Sequence, residues 1–242
     1  MEFLVVGAGT MGRWFADSVA ADDDVAFVDA DPAAAEAAAR AHDGRQVEPG
    51  TEETFDAVCV AVPIPAAAAV IEEYADRARR ALVDVTGSMA EPIAAMRANA
   101  PDRERMSLHP LFAPENAPGN VAAVVDEDGP VTETIRERLA ERGNEVFETT
   151  ADEHDEAMRT VQARAHAAVL AFALAAEDVP PAFHTPISAG LVDLVEQVTG
   201  GEARVYADIQ HAFEGAEDVA AAAREIADAD PETFADLYER LR

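Results

Sequence analysis

A glycine-rich turn near the amino terminus constrains the fold more than any other feature of the chain. The run Val5-Val6-Gly7-Ala8-Gly9-Thr10-Met11-Gly12 places Gly-x-Gly-x-x-Gly between a β-branched strand and the start of a helix. In that context the glycines allow a tight turn, close approach of the backbone to a pyrophosphate, and close packing of helix on strand. The helix amino terminus offers unpaired N–H groups and a positive dipole end. The motif predicts a dinucleotide site formed by Gly7, Gly9, Thr10, Met11 and Gly12.

An acidic residue at the end of the second predicted strand indicates which dinucleotide is bound. Asp29 lies 22 residues after Gly7, where a carboxylate would accept hydrogen bonds from the adenosine ribose hydroxyls. A carboxylate there disfavours a 2′-phosphate, so the sequence predicts NAD in preference to NADP. Val62 and Pro63 follow the next strong strand, and we expect them to pass near the cofactor.

The pattern of apolar residues predicts two domains. Up to Thr150, β-branched runs alternate with amphipathic or alanine-rich stretches, which predicts a parallel sheet covered on both faces. We therefore expect an α/β fold, with an N-terminal Rossmann dinucleotide-binding domain at residues 1–150 and a C-terminal all-helical domain at 151–242. Strands are predicted at 3–6, 25–28, 57–62, 81–85, 106–108, 121–125 and 145–147. Helices are predicted at 11–20, 32–41, 65–79, 131–142, 152–177, 187–198, 204–213 and 231–241.

Charge excludes several classes of partner. The chain has 48 acidic residues against 18 basic ones, all of them Arg, and a formal net charge of −30. Such a chain is not expected to bind nucleic acid or anionic membranes, because both need a basic face. The absence of Lys and the excess of carboxylates predict adaptation to molar salt, where the Debye length falls to about 3 Å. The single Cys59 predicts neither a disulfide nor a metal site. With no signal-peptide pattern and no apolar run of 18 residues, we expect a cytoplasmic protein.

A histidine in an unusual setting is a candidate for proton transfer. His109 is predicted to end a strand and is followed by Pro110 and a proline-rich loop. Ligands of open α/β sheets bind at the carboxyl edge of the strands. A neutral imidazole there could accept the proton of a substrate hydroxyl as hydride leaves. A histidine that only caps a turn is the structural alternative.

Several runs in this order resemble the prephenate dehydrogenase family, and together they span almost the whole chain. The runs are Gly7 to Trp14, Val83-Asp84-Val85-Thr86, His109 to Pro114, Glu153 to Met158 with Gln162 and His166, Thr185-Pro186-Ile187, and Val205 to Ile209. The resemblance implies a Rossmann domain with a helical dimerisation domain, hence a homodimer. It implies oxidation of prephenate, or of its transaminated relative arogenate, with loss of CO₂. His109 matches the catalytic histidine that binds the ring hydroxyl, and His154 and His166 match histidines of the long helix.

Two departures from the family pattern concern the substrate. Ser88 lies one position away from the serine of the family pattern, and we still expect Ser88 to be catalytic. The Lys that commonly follows that serine is absent. The Arg that often follows the Ser/Thr-Pro-Ile motif and binds the substrate side-chain carboxylate is also missing. Arg164 or Arg204 would replace its charge. The predicted substrate-binding residues are therefore His154, Gln162, Arg164 and His166.

Three other functional classes were considered. β-Hydroxyacid dehydrogenases share this domain plan but use a catalytic Lys, which this chain lacks. Imine or pyrroline-carboxylate reductases need no Lys, yet they usually favour NADP and leave His109-Pro110 unexplained. A non-catalytic NAD-binding sensor predicts binding without turnover, and it has no need for an imidazole at the sheet edge.

Overall fold

The sheet that carries the glycine turn has eight strands. The structure is a computed structural model and describes all residues from Met1 to Arg242. The strand order is β3-β2-β1-β4-β5-β6-β7-β8. The strands are β1 (Glu2–Val6), β2 (Asp24–Val28), β3 (Arg45–Gln46), β4 (Phe55–Val60), β5 (Ala78–Asp84), β6 (Glu104–Pro110), β7 (Asn120–Glu127) and β8 (Glu145–Glu148). The order reverses between β1 and β4, and such a switch point opens a ligand crevice at the carboxyl ends of the strands.

Five helices cover the two faces of the sheet and explain why its central strands are apolar throughout. They are α1 (Thr10–Val19), α2 (Pro32–Ala41), α3 (Ala67–Tyr74), α4 (Ala90–Asn99) and α5 (Pro130–Glu141). Phe3 and Val5 belong to one buried cluster, with side chains of α1, α2 and α5. Leu4 and Val6 alternate with them into a second cluster, with side chains of α3 and α4. Burial on both sides is the arrangement that continuous hydrophobic strands predict.

The chain divides into two compact units, Met1–Asp155 and Glu156–Arg242. Helix α6 (Ala151–Met158) begins in the first unit and ends in the second. The second unit is entirely helical, with a π-helical segment (Arg159–Arg164) and helices α7 (Ala165–Ala175), α8 (Pro186–Thr199), α9 (Ala203–Ala212), α10 (Ala216–Asp228) and α11 (Pro231–Arg240). Its few fully enclosed side chains include Val198, Ile209 and Phe213. No helix of the chain is both long and apolar enough to span a lipid bilayer.

The predicted α/β fold with a helical carboxyl-terminal part is confirmed, and several details are corrected. The sheet is not wholly parallel, because β7 pairs antiparallel with β6. Three elements were not predicted: β3, α4 and α10. Strand β3 has two residues and is too short to show an alternating pattern, and α4 lacks a single apolar stripe. Strand β4 ends at Val60 rather than at residue 62. The predicted helix 65–79 is shorter because 3₁₀ turns flank α3, and the predicted helix 152–177 contains the π-helical segment.

Candidate active site

The glycine turn has the close backbone packing that its sequence predicts. Gly7 has a φ of 104°, and a Cβ atom placed on it would lie 2.2 Å from the carbonyl oxygen of Ala61. A Cβ on Gly12 would lie 1.9 Å from the carbonyl oxygen of Gly7, so α1 can approach β1 only with glycine at this position. A Cβ on Gly9 would meet no atom within 4 Å. The turn is therefore closed against the protein at Gly7 and Gly12 and open at Gly9, as a pyrophosphate cradle requires.

Asp29 lies directly against this turn. Its Oδ2 accepts a hydrogen bond from the backbone N–H of Ala8 at 2.7 Å, and its Oδ1 accepts one from Asp31 N–H at 2.8 Å. Each carboxylate oxygen can accept a further hydrogen bond. On the other side of the turn, Val62 Cγ1 would be 3.3 Å from a Cβ on Gly7, and Pro63 follows it in the loop after β4. The structure thus brings Asp29 and the loop of Val62 and Pro63 to the glycine turn.

A chain of three side chains fixes the tautomer of His109. His109 lies in β6, and its Nδ1 is 2.8 Å from Nε2 of His154. His154 Nδ1 is in turn 2.8 Å from Oδ1 of Asp155. An ionised Asp155 only accepts, so His154 Nδ1 carries the proton, and His154 Nε2 accepts the N–H of His109 Nδ1. The same logic leaves Nε2 of His109 as the ring's acceptor nitrogen.

Asp155 is held in its ionised form by helix α4. Its two oxygens accept hydrogen bonds from the backbone N–H groups of Met89 at 3.0 Å and Ala90 at 3.1 Å, where α4 begins. Burial raises the pKa of Asp155, but the hydrogen bonds from His154 and from the two amides outweigh it, and the pKa lies below its ordinary value. A capping box between Thr150 and Glu153 starts α6 and so presents His154 and Asp155 in its first turns.

His109 is electrically neutral at physiological pH. It is buried, and burial, with a smaller contribution from His154, lowers its pKa from 6.5 to about 3. Its Nε2 would lie 3.9 Å from a Cβ on Gly87, so this nitrogen faces the loop between β5 and α4. A neutral imidazole with its acceptor nitrogen at the carboxyl edge of the sheet is suited to accept a proton from a ligand bound there.

Asp84 stabilises the loop between β5 and α4 through hydrogen bonds to Thr86. Its Oδ2 accepts hydrogen bonds from the backbone N–H of Thr86 at 2.9 Å and from the Thr86 hydroxyl at 2.5 Å. The Thr86 hydroxyl also lies 3.0 Å from the carbonyl oxygen of Ser88, which is buried beside Gly87. Asp84 is fully buried and its Oδ1 has no hydrogen-bond partner. Burial, opposed by the Thr86 hydrogen bonds, raises the pKa of Asp84 from 3.8 to about 6.

This raised pKa predicts a pH-dependent stability that Asp84→Asn removes. A folded-state pKa of about 6 against 3.8 in the unfolded chain means that ionised Asp84 destabilises the fold, increasingly as pH rises through this window. At about 1.4 kcal/mol for each pKa unit, the penalty above pH 6 is about 3 kcal/mol. We expect the free energy of unfolding of wild type to fall relative to Asp84→Asn between about pH 4 and pH 6.

Denaturant unfolding in molar KCl over this pH range measures the difference. Asp102→Asn, which removes an exposed carboxylate from the same unit, is the control and should show no such trend. A difference between wild type and Asp84→Asn that stays constant with pH would contradict the assignment of a raised pKa to Asp84.

The other predicted substrate-binding residues lie in the second unit. Gln162 and Arg164 are in the π-helical segment, and His166 is in α7, where its ring packs edge-on against Tyr206 at 4.9 Å. The guanidinium of Arg164 already bonds Oδ2 of Asp218, at 2.9 Å and 2.7 Å. Arg204, the alternative cation, is mostly exposed and lies 3.8 Å from Asp208. The substrate role of these residues stays a prediction.

Two carboxylates that hold His109 and the loop beside it, Asp155 and Asp84, were not predicted as site residues. Asp155 is adjacent to His154 in sequence, but its contact with Met89 spans 66 residues. The contact of Asp84 with Thr86 is a local one that the Asp-x-Thr spacing could have indicated. In a chain with 48 acidic residues, sequence alone does not distinguish these two carboxylates from solvated ones.

Comparisons with known proteins identify the family and the fold. The chain matches the family model described as prephenate dehydrogenase, nucleotide-binding domain, over residues 19–127. It is 34% identical to 4-amino-4-deoxyprephenate dehydrogenase of Streptomyces pristinaespiralis, over 99% of this chain and 89% of that protein. Its fold is similar to that of prephenate dehydrogenase from Aquifex aeolicus solved with hydroxyphenyl propionate and NAD⁺, with a TM-score of 0.67, 16% identity, and coverage of 99% and 95%. Arogenate dehydrogenase from Synechocystis is also similar, with a TM-score of 0.64, 17% identity, and coverage of 99% and 97%.

Proposed function

We propose, from the premise that this chain belongs to the prephenate dehydrogenase family, that it catalyses the NAD-dependent oxidative decarboxylation of prephenate to 4-hydroxyphenylpyruvate. Membership rests on the relative that is 34% identical over nearly the whole chain. The observation that supports this reaction best is the neutral His109, whose Nδ1 is committed to His154 and whose Nε2 faces the loop at Gly87. A dehydrogenase acting on a ring alcohol needs such an acceptor.

The cofactor assignment rests on the glycine turn and Asp29. Gly7 and Gly12 close the turn against the protein while Gly9 leaves it open, and Asp29 offers its carboxylate beside it. These residues fit the pyrophosphate and the adenosine ribose of NAD, and the carboxylate opposes a 2′-phosphate. When bound, NAD supplies an oxidised nicotinamide ring that accepts a hydride.

His109 handles the proton of the reacting hydroxyl. Its Nε2 accepts a hydrogen bond from the hydroxyl on the ring carbon that loses hydride, and takes the proton as the C–O bond gains double-bond character. The ring carboxylate then leaves as CO₂, its bonding electron pair enters the ring, and the ring oxygen regains the proton as the phenol forms. The net reaction therefore needs no proton from solvent. The negative charge of Asp155 favours the protonated ring of His109 and offsets part of the cost of burying that charge.

The remaining predicted residues complete the proposal. Ser88 lies in the loop that His109 Nε2 faces, where its hydroxyl would orient the reacting groups. Gln162, Arg164 and His166 are proposed to bind the rest of the substrate. For Arg164 this role requires the substrate carboxylate either to bind the guanidinium together with Asp218 or to displace Asp218 from it.

A second substrate is favoured by the relative from Streptomyces. That protein is named for 4-amino-4-deoxyprephenate, in which an amino group replaces the ring hydroxyl. A neutral imidazole nitrogen can accept a hydrogen bond from an amino or ammonium group as well as from a hydroxyl. His109 therefore suits either compound, and the two substrates must be compared by turnover.

A panel of substrates and cofactors tests the proposed function. Purified protein in molar KCl is supplied separately with prephenate, 4-amino-4-deoxyprephenate and arogenate, with NAD and then with NADP, and the reduced cofactor is followed by absorbance. We expect the highest kcat/KM with prephenate and NAD. A higher value with the amino compound would replace prephenate by the second candidate. Binding of NAD without turnover of any of the three would overturn the proposal in favour of an imine reductase or a sensor.

We also propose that the protein is a homodimer formed through its helical unit. No residue of α7 is buried, although it is apolar on nearly all sides. Leu174, Phe183 and Ile187 are 89%, 76% and 79% exposed, which is unusual for large apolar side chains in one small unit. Light scattering in molar KCl should give twice the 25.6 kDa of one chain. Leu174→Glu should shift the mass towards one chain, and a wild-type protein that is already monomeric would contradict the proposal.

A further inference from the structure

A groove runs along the exposed face of α1, beginning at the glycine turn. It has a volume of about 600 Å³ and is lined by residues that include Gly9, Thr10, Arg13, Trp14 and Ala34. Thr10 is the first residue of α1, so the groove begins at the positive end of that helix. Arg13 is the basic side chain among the residues that line it.

Arg13 and Asp29 hold the same peptide unit of the turn from its two sides. Arg13 Nε donates to the carbonyl oxygen of Ala8 at 2.9 Å, while the N–H of Ala8 donates to Asp29 at 2.7 Å. Nη2 of Arg13 also reaches the carbonyl oxygen of Ala34 in the first turn of α2, at 3.4 Å. These contacts place the guanidinium at the glycine turn and leave its Nη1 edge uncommitted.

The charge of Arg13 is not neutralised by any carboxylate of the protein. Acidic residues outnumber basic ones by 48 to 18, yet the hydrogen bonds of Arg13 go to backbone carbonyls and it forms no ion pair. Asp17, the carboxylate of the same groove, lies 3.1 Å from Nε2 of His42 and forms no ion pair with Arg13. Trp14, next along the helix, is 6% exposed, and its indole Nε1 has no hydrogen-bond acceptor. The groove thus contains a helix amino terminus, a guanidinium that forms no ion pair, and an indole N–H donor without a hydrogen-bond acceptor.

We propose that Arg13 binds the pyrophosphate of the dinucleotide and supplies most of the local positive charge that the cofactor needs in this strongly acidic protein. The planar guanidinium can bond a phosphate through Nη1 and Nη2 while Nε keeps its contact with Ala8. The Gly-x-Gly-x-x-Gly pattern does not specify this position, so the role belongs to this chain's own Arg13. The proposal depends on dinucleotide binding and not on the identity of the substrate, so it stands or falls independently of the substrate panel.

The affinity for the reduced cofactor tests this role without any turnover. Trp14 is the only tryptophan, so energy transfer from its indole to bound NADH reports binding. In molar KCl we expect Arg13→Gln to raise the Kd of NADH about tenfold or more, as loss of a charge-assisted hydrogen bond does. Arg13→Lys keeps the positive charge but lacks the two parallel N–H donors of the guanidinium, and it should give an intermediate Kd. Arg80→Gln, which removes an exposed charge near the opposite, amino end of β5, should leave the Kd unchanged.

Calorimetry with fragments of the cofactor locates the contact. Arg13→Gln should weaken ADP-ribose as much as NADH and leave the affinity for adenosine unchanged. Equal weakening of adenosine would mean that Arg13 only maintains the shape of the turn, and would overturn the proposal. Weakening of NADPH alone would place Arg13 at a 2′-phosphate instead, and an unchanged Kd would also overturn it. If Arg13→Gln does not fold, Arg13→Lys decides, because a wild-type Kd in that variant would exclude a bidentate phosphate contact.

Discussion

His109→Asn is expected to lower kcat by a factor of about 10² to 10⁴ while the affinity for NADH stays close to that of wild type. His109 Nε2 is the nitrogen that faces the Gly87 loop, and the neutral ring is the proton acceptor there. Asn places an amide atom near the position of Nδ1 but none at the position of Nε2, so the proton acceptor is removed. Asp29 bonds the glycine turn through Ala8, whereas His109 bonds His154, so binding of NADH should survive.

Steady-state kinetics with saturating NAD and NADH binding by Trp14 energy transfer measure the two quantities separately. His211→Asn is a suitable control, since His211 is exposed on α9 and its ring contacts a backbone carbonyl of its own helix. Parallel loss of turnover and of NADH affinity in His109→Asn would mean that His109 is structural. Retention of wild-type kcat would exclude it as the proton acceptor.

Asp155→Asn is expected to lower kcat by about 10² or more, although Asp155 touches neither predicted ligand. An Asn side chain can turn its NH₂ group towards His154, which would move the proton of His154 from Nδ1 to Nε2. That N–H would then face Nδ1 of His109, so the His109 proton would move to Nε2 and remove the acceptor. A triad histidine whose aspartate becomes Asn loses activity through the same change of tautomer.

Histidine ¹⁵N chemical shifts report which ring nitrogen carries the proton, and they separate this positioning role from a structural one. In Asp155→Asn we expect the proton of His109 to move from Nδ1 to Nε2 while KM for NAD stays near wild type. The ring of His109 is already neutral, so a rise in pH should not restore kcat. Asp152→Asn removes an exposed charge from the same helix and serves as the matched control. Because Asp155 also caps α4 through Met89 and Ala90, a purely structural role would instead reduce stability and lower kcat with the proton of His109 still on Nδ1.

The parts of the molecule that sequence predicts well are those in which local pattern and global packing coincide. The glycine turn, Asp29 and His109 could be located because strand, turn and helix signals stand within a few residues of each. The antiparallel pairing of β7 with β6 could not be predicted, because a strand buried on both faces has the same hydrophobic pattern in either direction. Helix α4 was missed since burial of Ile93 and Met96 beneath α3, rather than a single apolar stripe, stabilises it.

The hydrogen bonds that join His109 to His154 and His154 to Asp155 could be identified only from the structure, for a different reason. His109 and His154 are 45 residues apart, and Asp155 meets Met89 across 66 residues. Hydrogen bonds between residues so distant in sequence leave no periodicity behind. The proposed role of Arg13 was likewise not predicted, because it depends on which carboxylates do not pair with Arg13, and the positions of Asp17 and Asp29 in space decide that.

The ratio of CO₂ released to NADH formed tests the central claim most directly. Prephenate labelled with ¹³C at the ring carboxylate, incubated with NAD and the enzyme in molar KCl, reports both products in one experiment. The proposed mechanism predicts equal amounts of labelled CO₂ and NADH from wild type, and formation of both at least about 10²-fold slower in His109→Asn. NADH formed without labelled CO₂, or an undiminished yield of both from His109→Asn, would contradict oxidative decarboxylation at this site.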